Sequence, residues 1–264
     1  MACDDDAPAD PPVGPAVAPV VDPAMPSEID PDAERPADPA DPETDPAIDL
    51  RALERARPAT PAQLAALIRA GGQPPDDAFD RYLPARLRQV SGRFWTPLVV
   101  AARAAAWLAE LGAATIVDIG SGAGKFCVAA ALGSPCRFVG LEQRPRLVAA
   151  ARRLARMFGV EDRVQFIAGV LDPGTAPAGD AYYLFNPFGE NRFGPEGHLD
   201  EDVELGEERY LRDIAAVELL LERAPVGTCV VTYNGFGGRM PFGYDQIRVD
   251  RTLPNMLRMW RRAC

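Results

Sequence analysis

Lysine is almost missing from this sequence: Lys125 stands alone against 27 arginines, a bias that reflects a GC-rich coding sequence rather than a function. Cysteine is sparse and irregular. Cys3, Cys127, Cys136, Cys229 and Cys264 are odd in number and contain no Cys-x-x-Cys spacing, so neither a disulfide framework nor a structural zinc site is expected, and no metal is assigned. Cys127 and Cys229 lie in apolar runs and read as inert core residues. No apolar run reaches the roughly 18 residues of a membrane-spanning helix, so no membrane partner is expected and the expected location is the cytoplasm. His198, the only histidine, sits beside Asp200, Glu201 and Asp202 and reads as a solvated loop residue.

Large aliphatic and aromatic residues are scarce in the first 48 positions. This stretch holds twelve prolines and thirteen acids against one base, Arg35. A segment so poor in apolar surface cannot offset its ordering entropy, so 1–48 is expected to be a disordered Pro/Asp/Ala-rich tail. It carries −12 of a net charge of −10, which leaves the remainder, with 25 acids and 27 bases, at about +2. The acidic character therefore belongs to the tail, where it serves solubility or competes with nucleic acid for a basic face.

The remaining 216 residues suffice for one well-buried core. A helical segment is expected over 49–112. Thr60-Pro61 caps a helix running to about Ala70, Asp76–Val90 places Phe79, Leu83 and Leu87 on one face, and Thr96-Pro97 opens Leu98–Leu111. Strands and helices alternate afterwards. Strands are expected at Thr115–Ile119, Arg137–Leu141, Val164–Ala168, Ala181–Phe185 and Thr228–Tyr233, with helices at Lys125–Leu132, Arg146–Phe158 and Glu207–Arg223. Gln246–Arg251 and Leu257–Arg261, joined by a short connection, should pair antiparallel at the sheet edge. The pattern predicts a three-layer α/β sheet with ligands bound beyond the carboxyl ends of its strands.

Asp118-Ile-Gly120-Ser121-Gly122-Ala-Gly124 falls at one such end and opens a helix. Glycines there allow a sharp turn and close approach to a ligand, beside the unpaired N–H groups of a helix N-terminus. Spacing separates the nucleotide loops. A phosphate-binding loop needs Gly at position 119 and Ser or Thr at 126, where Ile119 and Phe126 stand. The dinucleotide fingerprint needs Gly at 125, which is Lys125. Glu142 ends the second strand, 24 residues after Asp118, and a carboxylate there can accept both ribose hydroxyl hydrogens.

Together these residues resemble the cofactor motifs of class I S-adenosylmethionine-dependent methyltransferases, from about Phe94 to the end of the chain. The resemblance implies a Rossmann-like seven-stranded methyltransferase sheet with an antiparallel edge strand, preceded by N-terminal helices, with the core over 113–264 and S-adenosyl-L-methionine as cofactor. It places Asp118 near the methionyl amino group, Gly120, Ser121, Gly122 and Gly124 against the methionyl and ribose parts, Glu142 on the ribose, and Gly169-Val170 at the adenine edge. The family commonly has an acid at the position of Val170; here Asp172 or a backbone carbonyl must serve. Thr96, in Phe94-Trp95-Thr96-Pro97, resembles an aromatic-x-Thr-Pro segment that contacts the methionyl end in some adenine-specific DNA methyltransferases, and is also simply a helix cap.

Asn186-Pro187-Phe188 follows the fourth strand and resembles the Asn/Asp-Pro-Pro-aromatic motif of methyltransferases acting on amino nitrogen, with one proline where that motif has two. Asn186 is expected to aim the acceptor, also touching the cofactor, with Pro187 and Phe188 shaping the wall; an Asn-Pro turn is the plain alternative. Tyr233-Asn234 and the glycines after it follow the fifth strand as a substrate-touching loop or a plain connector. The expected activity is methyl transfer to a nitrogen of a protein side chain or small molecule. A nucleic-acid adenine acceptor is the alternative, disfavoured by the near-neutral folded part. An NAD-dependent oxidoreductase and a non-catalytic S-adenosylmethionine-binding protein are the readings from other classes.

Overall fold

The computed structural model describes residues 59–264, so the expectations for the tail 1–48 and for the start of the 49–112 segment lie outside the described residues. Among the described residues five helices precede the sheet: α1 (Pro61–Arg69), α2 (Asp76–Asp80), α3 (Ala85–Gln89), α4 (Ser91–Phe94) and α5 (Leu98–Glu110). Thr60 caps α1 through a reciprocal pair with Gln63, its hydroxyl accepting from the Gln63 amide while the Gln63 side chain accepts from the Thr60 amide. The single helix expected over Asp76–Val90 is instead two short pieces, with α4 following directly. Pro84 lacks an N–H and its ring blocks continuation, so α2 ends at Asp80 and α3 starts after the proline. Phe79 and Leu83 are nevertheless buried.

The sheet follows as β1 (Thr115–Ile119), α6 (Lys125–Gly133), β2 (Arg137–Glu142), α7 (Pro145–Phe158), β3 (Val164–Ala168), β4 (Ala181–Phe185), α8 (Glu207–Arg223), β5 (Cys229–Tyr233), β6 (Tyr244–Asp250) and β7 (Leu257–Arg262). The seven strands lie in the order β3-β2-β1-β4-β5-β7-β6. The first five are parallel, and β7 runs antiparallel to both β5 and β6. The expected antiparallel pair thus forms at the edge, with β7 one place in and β6 outermost.

Period-two alternation assigns the two faces. Ile116, Ala181, Tyr183, Cys229, Val231, Leu257 and Met259 point to the side of α1, α5, α6 and α7. Val117, Ile119, Tyr182, Leu184 and Val230 point to the side of α8. α6 is buried along its whole length because it is sandwiched between the sheet and the outer helices. Its Ala129-Ala130-Ala131 run lets neighbours approach, and Phe126 stacks on Tyr183 with ring centroids 3.6 Å apart. The α8 face has one helix only. Leu171, Ala176, Phe236 and Met240, from the helix-free β3–β4 and β5–β6 connections, cover the rest of it. Among the described residues no helix is long and apolar enough to cross a membrane.

Lys125 opens α6 and is 2% exposed, with Nζ at 2.6 Å from Asp76, 2.8 Å from Asp80 and 3.3 Å from the Ser91 hydroxyl. Asp80 is ion-paired but not aligned for a hydrogen bond on its Oδ1. This cluster fastens α2 and α4 to the helix that starts at the glycine loop, which brings Phe94-Trp95-Thr96 to the strand ends.

Candidate active site

The chain leaves β1 and turns sharply, held by Leu141, whose carbonyl accepts from the amides of both Gly120 and Ser121 at 2.9 and 3.0 Å. Gly120 and Gly122 have φ of 75° and 54°, a left-handed region that costs a side-chain-bearing residue about 1–2 kcal/mol. Space is equally restrictive: a Cβ on Gly120 would stand 2.7 Å from Pro187 Cβ, and one on Gly122 would enter the Trp95 ring. The Ser121 hydroxyl is buried in this turn with no protein partner.

Glu142 ends β2 beside the loop and is 6% exposed. One carboxylate oxygen accepts from the Gly122 amide at 3.0 Å and the other from the Arg144 amide at 2.8 Å. Each oxygen keeps a lone pair for a further donor. Burial raises its pKa, against the lowering effect of the Arg144 and Gly122 amides and the Arg144 charge. Asp118 is fully enclosed, and its pKa is pushed up to about 7, chiefly by burial; the Cys127 thiol, donating at 3.4 Å, opposes this and the nearby Glu142 charge adds to it. Cys127 is a core residue, as expected, that also touches a site carboxylate.

Two cavities meet at this edge. The wider, of about 350 Å³, is lined by Gly120, Gly122, Glu142, Asn186, Pro187 and Asn234, with Phe94, Trp95, Phe185 and Phe193 as its aromatic wall. The narrower, of about 50 Å³, is lined by Glu142, Gln143, Gly169, Val170, Pro187 and Phe188, with Arg209 and Asp213 on its far side. Thr96 faces a crevice shared with Asp118, Gly120 and Ser121, its hydroxyl 3.1 Å from that of Tyr183.

The sequence-expected residues therefore converge, with three exceptions. Gly124 packs toward Phe166 and Ala151 rather than facing a cavity. Phe188 turns into the α8-side core and reaches the narrow cavity, not the wide one beside Asn186. The Asp172 carboxylate is used by its own turn, accepting from the Gly174 amide and the Thr175 hydroxyl, and lines neither cavity. His198 also stands outside both cavities and meets the Phe193 carbonyl at 3.0 Å.

Sequence reasoning missed Gln143, Arg209 and Asp213. Arg209 grips Asp213 with two contacts of 2.9 and 2.8 Å and donates to Gln143 at 2.8 Å. The i,i+4 spacing of Arg209 and Asp213 was the available signal. It also missed Phe193, over whose ring the Arg93 guanidinium sits at 4.0 Å.

Asn186 and Asn234 are the two non-glycine residues with positive φ among the described residues, at 38° and 57°. They occupy equivalent places, immediately after adjacent strands β4 and β5, and the Asn186 amide donates to the Gly235 carbonyl at 2.9 Å. Strained backbone at converging strand ends is maintained only where the surroundings over-determine it. Among the described residues no group of three His, Cys, Asp or Glu side chains is placed to hold a metal ion.

Residues 112–172, from the end of the helical segment through β3, match the family model described as a methyltransferase domain. The fold is similar to that of the O-methyltransferase TomG from Streptomyces achromogenes, solved with S-adenosylmethionine, at 14% identity and a TM-score of 0.52 over 76% of this chain and 96% of that one. An RNA methyltransferase from Salinibacter ruber, solved with S-adenosylhomocysteine, is 24% identical over 63% of this chain and 92% of that one, with a TM-score of 0.45. No curated protein matches. The matched stretch, which holds the glycine loop and Glu142, is thus similar to a methyltransferase domain, and the sheet has the fold of a solved methyltransferase.

Proposed function

We propose that this chain transfers a methyl group from S-adenosylmethionine to a nitrogen of a protein side chain or a small molecule, in the wide cavity at the end of β4. Asn186 carries the reading. It is held at a φ of 38° in a cavity that it shares with Gly120, four aromatic rings, Asn234 and Asn255, and the charged side chains of Arg93, Glu142, Arg144 and Glu190. Asparagine oxygens accept N–H bonds, so a bound amine is turned until its lone pair points at the methyl group. In-line transfer needs that alignment more than a strong base, and the cavity offers amides and aromatic faces beside the carboxylates of Glu142 and Glu190, both of which already accept hydrogen bonds from the protein.

The remaining residues fit the cofactor. Its sulfonium supplies an electrophilic methyl group when bound. Glu142 retains a free lone pair on each oxygen for the ribose hydroxyls, and the buried Ser121 hydroxyl has a bond to give. Gly120 and Gly122 keep the loop bare of side chains. Asp118 and Thr96 lie toward the methionyl end, Gly169 and Val170 toward the adenine, and Gln143 supplies a polar group that Val170 lacks. Gly124 serves the loop through helix packing. Pro187 and Phe188 shape the wall between the cavities. On this reading 113–264 is the catalytic core, and the helices between Pro61 and Glu110 flank it, fastened by the Lys125 cluster.

Nucleic acid is the weaker candidate because the folded part is nearly neutral and several of its arginines are spent internally. Arg144 binds Glu190 and Asp200, Arg152 the Phe166 carbonyl, and Arg262 the carbonyls of Leu221 and Glu222. A phosphate-binding face needs its cations available. The deciding experiment is transfer of labelled methyl from S-adenosylmethionine into a cell lysate separated into protein, nucleic acid and small molecules. Label is expected in the protein or small-molecule fraction and lost with Asn186→Ala. Label in nucleic acid, or transfer unchanged in that variant, overturns the assignment; no transfer into any fraction favours a binding protein over an enzyme.

A further inference from the structure

The 19 residues between Asn186 and Gly206 form the wall shared by the two cavities, contributing Pro187 and Glu190 to both. They contain only two short 3-10 turns, Gly189–Arg192 and Pro195–Gly197, so regular hydrogen bonding does not hold them in place. Side chains do, Arg144 foremost. It is 4% exposed, and its guanidinium binds Glu190 at 2.9 Å and Asp200 at 2.9 Å, tying together two points ten positions apart, while Arg86 donates to the Leu199 carbonyl and Arg146 pairs with Asp202 nearer the surface. The Glu190 oxygen that Arg144 binds also accepts from the Leu199 amide at 2.7 Å. Asp200 has its pKa lowered: the bonds from Arg144 and the Asp202 amide outweigh the effect of burial. The opposite end of the same residue touches the cofactor carboxylate, since the Arg144 amide donates to Glu142 at 2.8 Å.

We propose that Arg144 is a positioning residue that couples occupancy of the cofactor site to closure of residues 189–202 over it. A planar guanidinium can serve two carboxylates from different edges while its own amide fixes Glu142, which a point-charge ammonium cannot reproduce. Any displacement of the 189–202 segment large enough to release a ligand from beneath Pro187 must break these two ion pairs or carry Arg144 with it, and carrying Arg144 draws its amide away from Glu142. A ligand holding Glu142 in place therefore holds the segment shut, and the shut segment delays its departure. Reciprocity of this kind follows from linkage between two sites on one two-state element.

The inference rests on the cofactor assignment above, and S-adenosylhomocysteine tests the two separately. Amide hydrogen exchange of 189–202 and the dissociation rate of S-adenosylhomocysteine would be measured in the wild-type chain, Asp200→Asn, Arg144→Lys and the control Asp202→Asn. Asp200 lines neither cavity, and Asp202 makes an exposed pair with Arg146. In the wild type the ligand is expected to slow exchange across 189–202. Asp200→Asn is expected to release it about tenfold faster with little change in association, as truncated buried charge pairs do, and to lose the protection. Arg144→Lys should fall between, and Asp202→Asn should match the wild type. Binding that leaves exchange of 189–202 unchanged, or equal dissociation from Asp200→Asn and wild type, overturns the coupling. Absence of any binding strikes the cofactor assignment instead.

Discussion

Replacing Asp118 with asparagine removes a titrating group from the most enclosed polar position of the site while keeping its shape. The folded carboxyl has its pKa pushed from 3.8 to about 7, with burial the largest cause. Between those values the folded chain holds a proton that the unfolded chain has released. The contribution of Asp118 to stability is therefore full below about pH 4 and declines as pH rises, reaching its minimum above about pH 7. About three pH units at about 1.4 kcal/mol each give a swing of about 4 kcal/mol. Most carboxylates act in the opposite direction, so the pH profile of the wild type alone hides this effect. The difference between the two proteins isolates it. Urea unfolding of wild type and Asp118→Asn at about pH 5 and pH 8 is expected to show the variant gaining relative stability with pH, by most of that swing. A difference that stays constant between the two conditions would refute a perturbed Asp118, and with it the water-excluding enclosure of the loop.

Lys125→Met leaves Asp80 buried without its cation and is expected to cost about 3–5 kcal/mol in urea unfolding; adding Asp80→Asn should recover part of the loss, whereas an additive double variant would deny the pair. Gly122→Ala forces a left-handed alanine into the Trp95 ring. It should destabilise by at least about 1–2 kcal/mol and weaken S-adenosylhomocysteine binding by about tenfold or more, as measured by calorimetry; wild-type affinity would contradict the close approach at this glycine.

The legible parts of this molecule were those governed by local rules. Continuous apolar runs such as Thr115–Ile119 marked the buried parallel strands, and glycine spacing together with Lys125 and Phe126 separated one nucleotide loop from the others. Long-range pairing was not legible. Lys125 entered the sequence argument only as a missing glycine, yet its two carboxylate partners lie 49 and 45 positions away and fasten the flank to the core. Arg144 drew no assignment from the sequence, although it is buried among acids from a segment about 50 positions later. Phe188 was assigned by motif position, but after the left-handed turn at Asn186 its ring packs on the α8 side, and Phe94, Trp95, Phe185 and Phe193 line the wide cavity instead. The Asp76–Val90 pattern had the correct apolar face while Pro84, visible in the sequence, broke the helix.

The central assignment is that the glycine loop and Glu142 hold S-adenosylmethionine. Calorimetric titration with S-adenosylmethionine, S-adenosylhomocysteine and NAD, repeated on Glu142→Ala, tests it most directly. Both adenosyl ligands should bind the wild type, NAD should not, and the variant should lose about tenfold or more in affinity as two ribose hydrogen bonds to a charged acceptor disappear. Tight NAD binding without response to either adenosyl ligand, or undiminished binding by Glu142→Ala, would contradict it.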